Sequence, residues 1–79
     1  MDKLPKVSGK EMVNFLLKQG FVIKRQRGSH VTLYKQKEGK GFYATVPVHA
    51  NKELLPKTFQ SILRQAGMTR GEFIELFKN

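Results

Sequence analysis

Between Ser29 and His49, two arms alternate apolar and polar residues around a glycine-containing turn: SHVTLYKQ, then KEGKG, then FYATVPVH. Alternation with a period of two marks a strand with one buried face, and two such arms about a short turn make an antiparallel hairpin. Centring the turn between Gly39 and Lys40 sets Val31 opposite Val48, Leu33 opposite Val46 and Lys35 opposite Ala44. Apart from the lysine, this is an apolar set that calls for a cover. The other set pairs His30 with His49, Thr32 with Pro47, Tyr34 with Thr45 and Gln36 with Tyr43. A slip of one residue would exchange the two faces, so burial of the valines resists it. The hairpin is therefore expected to carry both histidines, both tyrosines and two threonines on its open side. Pro47 cannot donate to a ladder, which places the end of the second arm at an edge or where it frays.

The flanks supply the cover. Ser8 followed by Glu11 three residues on has the form of a capping box, and Met12, Val13, Phe15, Leu16 and Leu17 give the helix behind it a broad apolar face. Gly20 closes that helix. FVIKRQ, residues 21–26, reads as a first strand with Phe21 and Ile23 on one face. After the hairpin, Phe59, Ile62, Leu63 and Ala66 recur at helical spacing up to Gly67. Thr69 and Glu72 make a second capping box for a short last helix with Phe73, Leu76 and Phe77. The fold class expected is α+β: helix, three antiparallel strands, helix and a short extra C-terminal helix, with the helices packed on one face of the sheet. A chain of 79 residues is expected to form a single domain over residues 1–79.

Charge narrows the function. Fifteen Lys and Arg against six Asp and Glu leave a formal net charge of +9. Lys24, Arg25, Arg27, Lys35, Lys37 and Lys40 crowd into residues 24–40 with Glu38 as the only acid, so over half of that charge lies in about a fifth of the chain. Such a field draws polyanions, and nucleic acid fits it better than a solvated surface or an anionic membrane. A membrane is disfavoured because no helix pairs a continuous apolar face with an all-basic one. No apolar run approaches the length of a membrane helix and the first residues lack an apolar leader core, so a soluble protein is expected, and the lack of cysteine favours a reducing cytoplasm. Two histidines, no cysteine and six scattered carboxylates make a poor zinc site, and neither a metal nor another cofactor is expected.

The open side suits RNA. Lys24, Arg25 and Arg27 are candidates to hold phosphates, and Tyr34 and Tyr43 either stack on bases or simply cover the sheet. Gly28 permits a tight loop or a close backbone approach, and with Ser29 it completes the candidate RNA-binding set. Ser29 is no triad nucleophile for His30, since neighbours in a strand point to opposite faces. His30 itself is either a structural strand-end residue or a proton carrier. Imidazole takes and gives protons near neutrality, and RNA cleavage requires a base for the 2′-hydroxyl, an acid for the departing 5′ oxygen, and cations for the charge between them. His49 is a candidate second proton carrier on the hairpin pairing, with a plain strand-end role as its alternative.

SGKEM, QGF, RQRGSH, VPVH, KEL and SILRQAG occur in that order. From Ser8 to about Phe77 the chain resembles the HicA-type toxins of bacterial and archaeal toxin–antitoxin pairs. The resemblance implies a fold like a double-stranded-RNA-binding domain and an mRNA endonuclease that works without the ribosome. It implies that the essential histidine is the one in the glycine–serine–histidine motif, His30, and that a cognate HicB-type antitoxin covers it in a hetero-oligomer. Two rival readings use the same charge: a non-catalytic double-stranded-RNA-binding module, and a protein-interaction domain for an acidic partner.

Overall fold

Ser8 and Glu11 close both halves of a capping box: the Ser8 hydroxyl accepts from the Glu11 N–H at 3.1 Å, and the Glu11 carboxylate accepts from the Ser8 N–H at 2.9 Å. With two orphan donors satisfied, helix α1 runs from Gly9 to Lys18. Gly20 follows at φ +99°, the Gly20 N–H reaches the Leu17 carbonyl and the Phe21 N–H reaches Leu16, the two bonds of a Schellman ending. The computed structural model describes residues 4–50 and 52–78. Strands β1 (Val22–Arg27), β2 (His30–Lys37) and β3 (Lys40–Pro47) then form an antiparallel sheet in the order β1-β2-β3, followed by α2 (Pro56–Gln65) and α3 (Arg70–Lys78). This is the expected α+β layout. Among the described residues no helix is long and apolar enough to cross a membrane.

The core lies between the helices and one face of the sheet. Met12, Val13, Phe15 and Leu16 of α1, Val31 and Leu33 of β2, Ala44 and Val46 of β3, and Phe59, Ile62 and Leu63 of α2 are all buried. Leu17, grouped with the apolar face of α1 in the sequence, instead stays exposed, because six consecutive positions wrap past a single helical face. Phe21 is buried just before β1, whereas Ile23, expected beside it, remains 48% exposed at the outer strand. Thr69 and Glu72 form the second capping box, and hydrogen bonds to the Glu72 carboxyl from the Thr69 backbone N–H, then from its side chain, hold that carboxyl below its ordinary range. Phe73 is fully buried, but Leu76 and Phe77 are only partly covered.

The hairpin register differs from the expected one. His30 faces Pro47, Val31 faces Val46, Thr32 faces Thr45, Leu33 faces Ala44, and Tyr34 faces Tyr43. The turn is Glu38–Gly39, with φ of +52° and +82°, between the paired Lys37 and Lys40. Two consecutive positive-φ residues are what a two-residue hairpin needs to match strand twist, and glycine supplies one of them where a Gly39–Lys40 centre would demand it of lysine. Relative to the expectation, the pairing moves by two residues. A shift of two preserves the faces, so the covered and open sets survive intact.

Two details settle the remaining sequence puzzles. Lys35, the lysine in the apolar set, extends its Nζ to the Gln19 carbonyl at 2.5 Å, where cationic charge is favoured at the end of α1. Thr45 turns its N–H away from β2 to the Gln65 side chain of α2 at 2.9 Å. Pro47 lies two residues on in the same outward phase, so its missing N–H removes no ladder bond.

Gly9 sits where the start of α1 meets the end of β3. A Cβ there would collide with the Pro47 carbonyl oxygen and press on the Val48 backbone. Gly9→Ala is expected to lower stability by about 1–3 kcal/mol, since backbone on both sides must move. A urea melt with an unchanged midpoint would contradict that close packing.

Candidate nucleic-acid interface

The open face begins at a tight connection. β1 and β2 meet at Arg27 and His30, which are directly paired, so only Gly28 and Ser29 lie between them. Gly28 adopts φ +58°, and a Cβ there would meet nothing within 4 Å. Backbone conformation rather than space explains the glycine. Ser29 is half-buried, and its carbonyl accepts from the Val48 N–H at 2.6 Å. That bond ties the start of β2 to the segment that carries His49.

Strand β1 holds an irregularity that its sequence does not announce. Ile23 pairs with Leu33, yet Arg25 pairs with Thr32, leaving Lys24 as an extra residue. Strict alternation from Ile23 would send Arg25 and Arg27 to the covered side. The bulge resets the phase, so Arg25 lies across from Thr32 and Arg27 across from His30, on the open side. Lys24 also reaches this side: its Nζ stands 5.5 Å from the centre of the Tyr34 ring. All three cations are exposed, and none is held in an ion pair among the described residues.

Tyr34 and Tyr43 oppose one another, with ring centres 4.6 Å apart and planes inclined at 47°. Tyr34 is half-buried and lies against Gly41, where a Cβ would come within 2.8 Å of the ring. Tyr43 is 57% exposed and joins Lys24, Arg25 and Thr32 around a shallow hollow of about 430 Å³. The Thr32 and Thr45 hydroxyls share a hydrogen bond at 3.2 Å beside it. Tyr34 thus does part of the covering, while Tyr43 presents most of its ring to whatever binds.

Both histidines are exposed. They are not the cross-strand pair expected, because the two-residue shift in register sets Pro47, not His49, opposite His30. Val48 is held by Ser29, Ala50 takes φ +47°, and the Lys52 N–H returns to the His49 carbonyl at 2.9 Å. This turn brings the His49 ring to 6.4 Å from that of His30, nearly perpendicular at 85°. The two histidines therefore meet through a loop, not through the ladder.

The sequence-derived residues consequently fall into two groups. His30, Arg25, Arg27, Lys24, Tyr34 and Tyr43 share the open face, with His49 leaning in from beyond its end. Gly28 and Ser29 shape the connection rather than add side chains to the face. A face with exposed cations, an available aromatic ring and two adjacent imidazoles can grip a phosphate, stack a base and exchange protons. What the sequence missed is the wall beyond His49, formed by Lys52, Glu53, Leu55 and Thr58. No periodicity marks it, since its contact with Pro47 and His49 depends on the chain reversal that returns the Lys52 N–H to the His49 carbonyl.

A family model described as the HicA toxin of bacterial toxin–antitoxin matches residues 9–68. The matched span holds α1, all three strands, α2 and every residue of the open face. No curated protein matches the chain significantly.

Proposed function

Because this chain belongs to the HicA toxin family of bacterial toxin–antitoxin systems, we propose that it is an endoribonuclease that binds and cleaves mRNA at the open sheet face and is inhibited by a cognate HicB-type antitoxin. The observation that carries the reading is the exposed His30–His49 pair at 6.4 Å beside three exposed cations that hold no ion pair among the described residues. In this reading one imidazole removes the proton of a ribose 2′-hydroxyl. The freed oxygen attacks phosphorus as the bond to the 5′ oxygen breaks, and the leaving oxygen takes its proton from the other imidazole. His30 carries one of these transfers and His49 the other. Arg25, Arg27 and Lys24 hold the phosphate and stabilise the charge that builds on it, an effect worth about 10²–10³ in rate when a comparable donor is removed elsewhere. Tyr43 supplies a stacking surface, with Tyr34 behind it.

The proposal needs no metal. Two imidazoles supply both proton transfers, and the cations supply the electrostatic stabilisation that a metal ion otherwise gives. The antitoxin's part follows from geometry of the same kind: a protein laid over an exposed, cationic face excludes RNA from it. Such a complex is a hetero-oligomer, with an acidic surface on the partner as its expected chemistry.

A long mRNA incubated with the purified chain in EDTA provides the test. Cleavage supports the toxin reading. Retention of RNA without cleavage points instead to a double-stranded-RNA-binding module, and no affinity at all to a protein-interaction domain. Salt gives an independent measure of the face. If Lys24, Arg25 and Arg27 each neutralise a phosphate of single-stranded RNA, log affinity should fall against log salt with a slope of about −2 or steeper. A nearly flat dependence would contradict the assignment of these cations.

A further inference from the structure

Beside His49 lies a second hollow of about 360 Å³, walled by Pro47, His49, Lys52, Glu53, Leu55 and Thr58 among others. Its size is at the small end of ligand pockets, roughly 300–1,000 Å³. It is continuous with the histidine pair, because His49 belongs to both and Pro47 is the cross-strand partner of His30. Its wall is anchored rather than loose. The Glu53 backbone pairs with that of Ser8 in an isolated antiparallel bridge, the Leu54 N–H reaches the Val7 carbonyl at 2.8 Å, and the Lys52 N–H reaches the His49 carbonyl. Leu55, at the entry to α2, is 71% exposed.

Glu53 is the anomaly. The chain has few acids, and Glu11 and Glu72 are engaged in capping boxes. Glu38 lies in the hairpin turn and Glu75 has a partner. The Glu53 carboxylate has no hydrogen bond or ion pair among the described residues, yet it borders a site whose other charges attract phosphate. Negative charge there works against a polyanion unless it meets a hydrogen-bond donor on that polyanion. RNA carries such donors on its bases. Unpaired bases are read by stacking against side chains and by hydrogen bonds to their Watson–Crick edge.

We propose that this hollow receives the unpaired nucleobase next to the scissile phosphate, and that Glu53 selects bases with an exocyclic amino group over uracil. The inference rests on the RNA-cleaving reading above and adds the specificity of that same site. Adenine, cytosine and guanine each offer an amino group to a carboxylate. Uracil offers one N–H flanked by two carbonyl oxygens, which a carboxylate repels. Leu55 and Pro47 provide the apolar contact for the ring, and Thr58 a further polar one.

Sequencing the ends from one long transcript cut by the wild-type chain and by Glu53→Gln tests this. Wild type is expected to avoid uracil at one position flanking the cut by about tenfold, the scale of one hydrogen bond to a charged group. Glutamine both donates and accepts, so the bias should shrink to within about twofold of none. Absence of any base bias in the wild type, or an unchanged bias in Glu53→Gln, overturns the proposal. Fluorescence anisotropy with oligoadenylate and oligouridylate separates this from the parent reading. A preference for oligoadenylate that Glu53→Gln abolishes, in a chain that cuts nothing, would sink the nuclease reading and leave the base site standing. Equal effects of the substitution on both oligomers would remove the base site. Unaltered RNA selection with a weakened antitoxin complex would give the hollow to the protein partner, which also overturns the proposal.

Discussion

Messenger RNA mixed with the His30→Ala chain is expected to stay uncut while still being bound. Removing a positioned acid or base costs about 10²–10⁴ in rate, enough to take a slow cleavage below detection. Affinity should survive, because Lys24, Arg25 and Arg27 stand on or in the bulge of β1 and do not depend on the imidazole for their placement. The fold should survive too. His30 is exposed at the first position of β2, with no side-chain hydrogen bond to lose among the described residues, and substitutions at such positions usually stay within about 0.5 kcal/mol. Three measurements therefore diverge: gel cleavage is lost, while the binding isotherm with its salt slope and the urea midpoint are kept. Cleavage at the wild-type rate by His30→Ala would refute the catalytic assignment. Joint loss of cleavage, binding and stability would make the residue structural.

Phe73→Ala is expected to produce the largest loss of stability. Phe73 is 0% exposed and its ring lies 4.7 Å from Phe15 of α1, 5.0 Å from Phe59 of α2 and 5.1 Å from Phe77, measured between centres. One side chain thus joins three helices. Truncating a buried phenylalanine costs about 3–5 kcal/mol. A domain of this length holds only about 4–12 kcal/mol in total, so the variant should be largely unfolded at modest urea. The prediction is pointed because the family match ends at residue 68, before α3 begins. If Phe73→Ala shifts the urea midpoint by less than about 1 kcal/mol equivalent, α3 is an appendage and the core closes without it.

Much of this architecture was legible from local patterns. Ser8 with Glu11 and Thr69 with Glu72 marked two helix starts, because a capping box involves only residues three apart. The covered and open sets of the hairpin were legible for a similar reason: side chains alternate with a period of two whichever residues they face. Individual partners were not. Expecting the turn at Gly39–Lys40 misplaced every pair by two, and the correct site at Glu38–Gly39 turned on a positive φ at a glutamate that composition does not flag.

The candidate site was legible as a list but not as a shape. Arg25 and Arg27 stood near His30 in the sequence, yet simple alternation from Ile23 would have buried them on the wrong side. The extra residue at Lys24 reverses that, and its effect shows only when β1 is laid against β2. His49 was expected near His30 for a reason that fails, cross-strand pairing, and arrives there through the turn at Ala50 instead.

By itself, then, the amino-acid order determined the helices, the strands, the cationic character and the polar side of the sheet, since each depends on residues close together in the chain. Tertiary structure alone decided the register, the bulge that turns two arginines outward, the meeting of two imidazoles and the Glu53 wall beside them. These join segments whose relative placement is chosen by turn geometry and by burial of the core as a whole, and no local repeat encodes that choice.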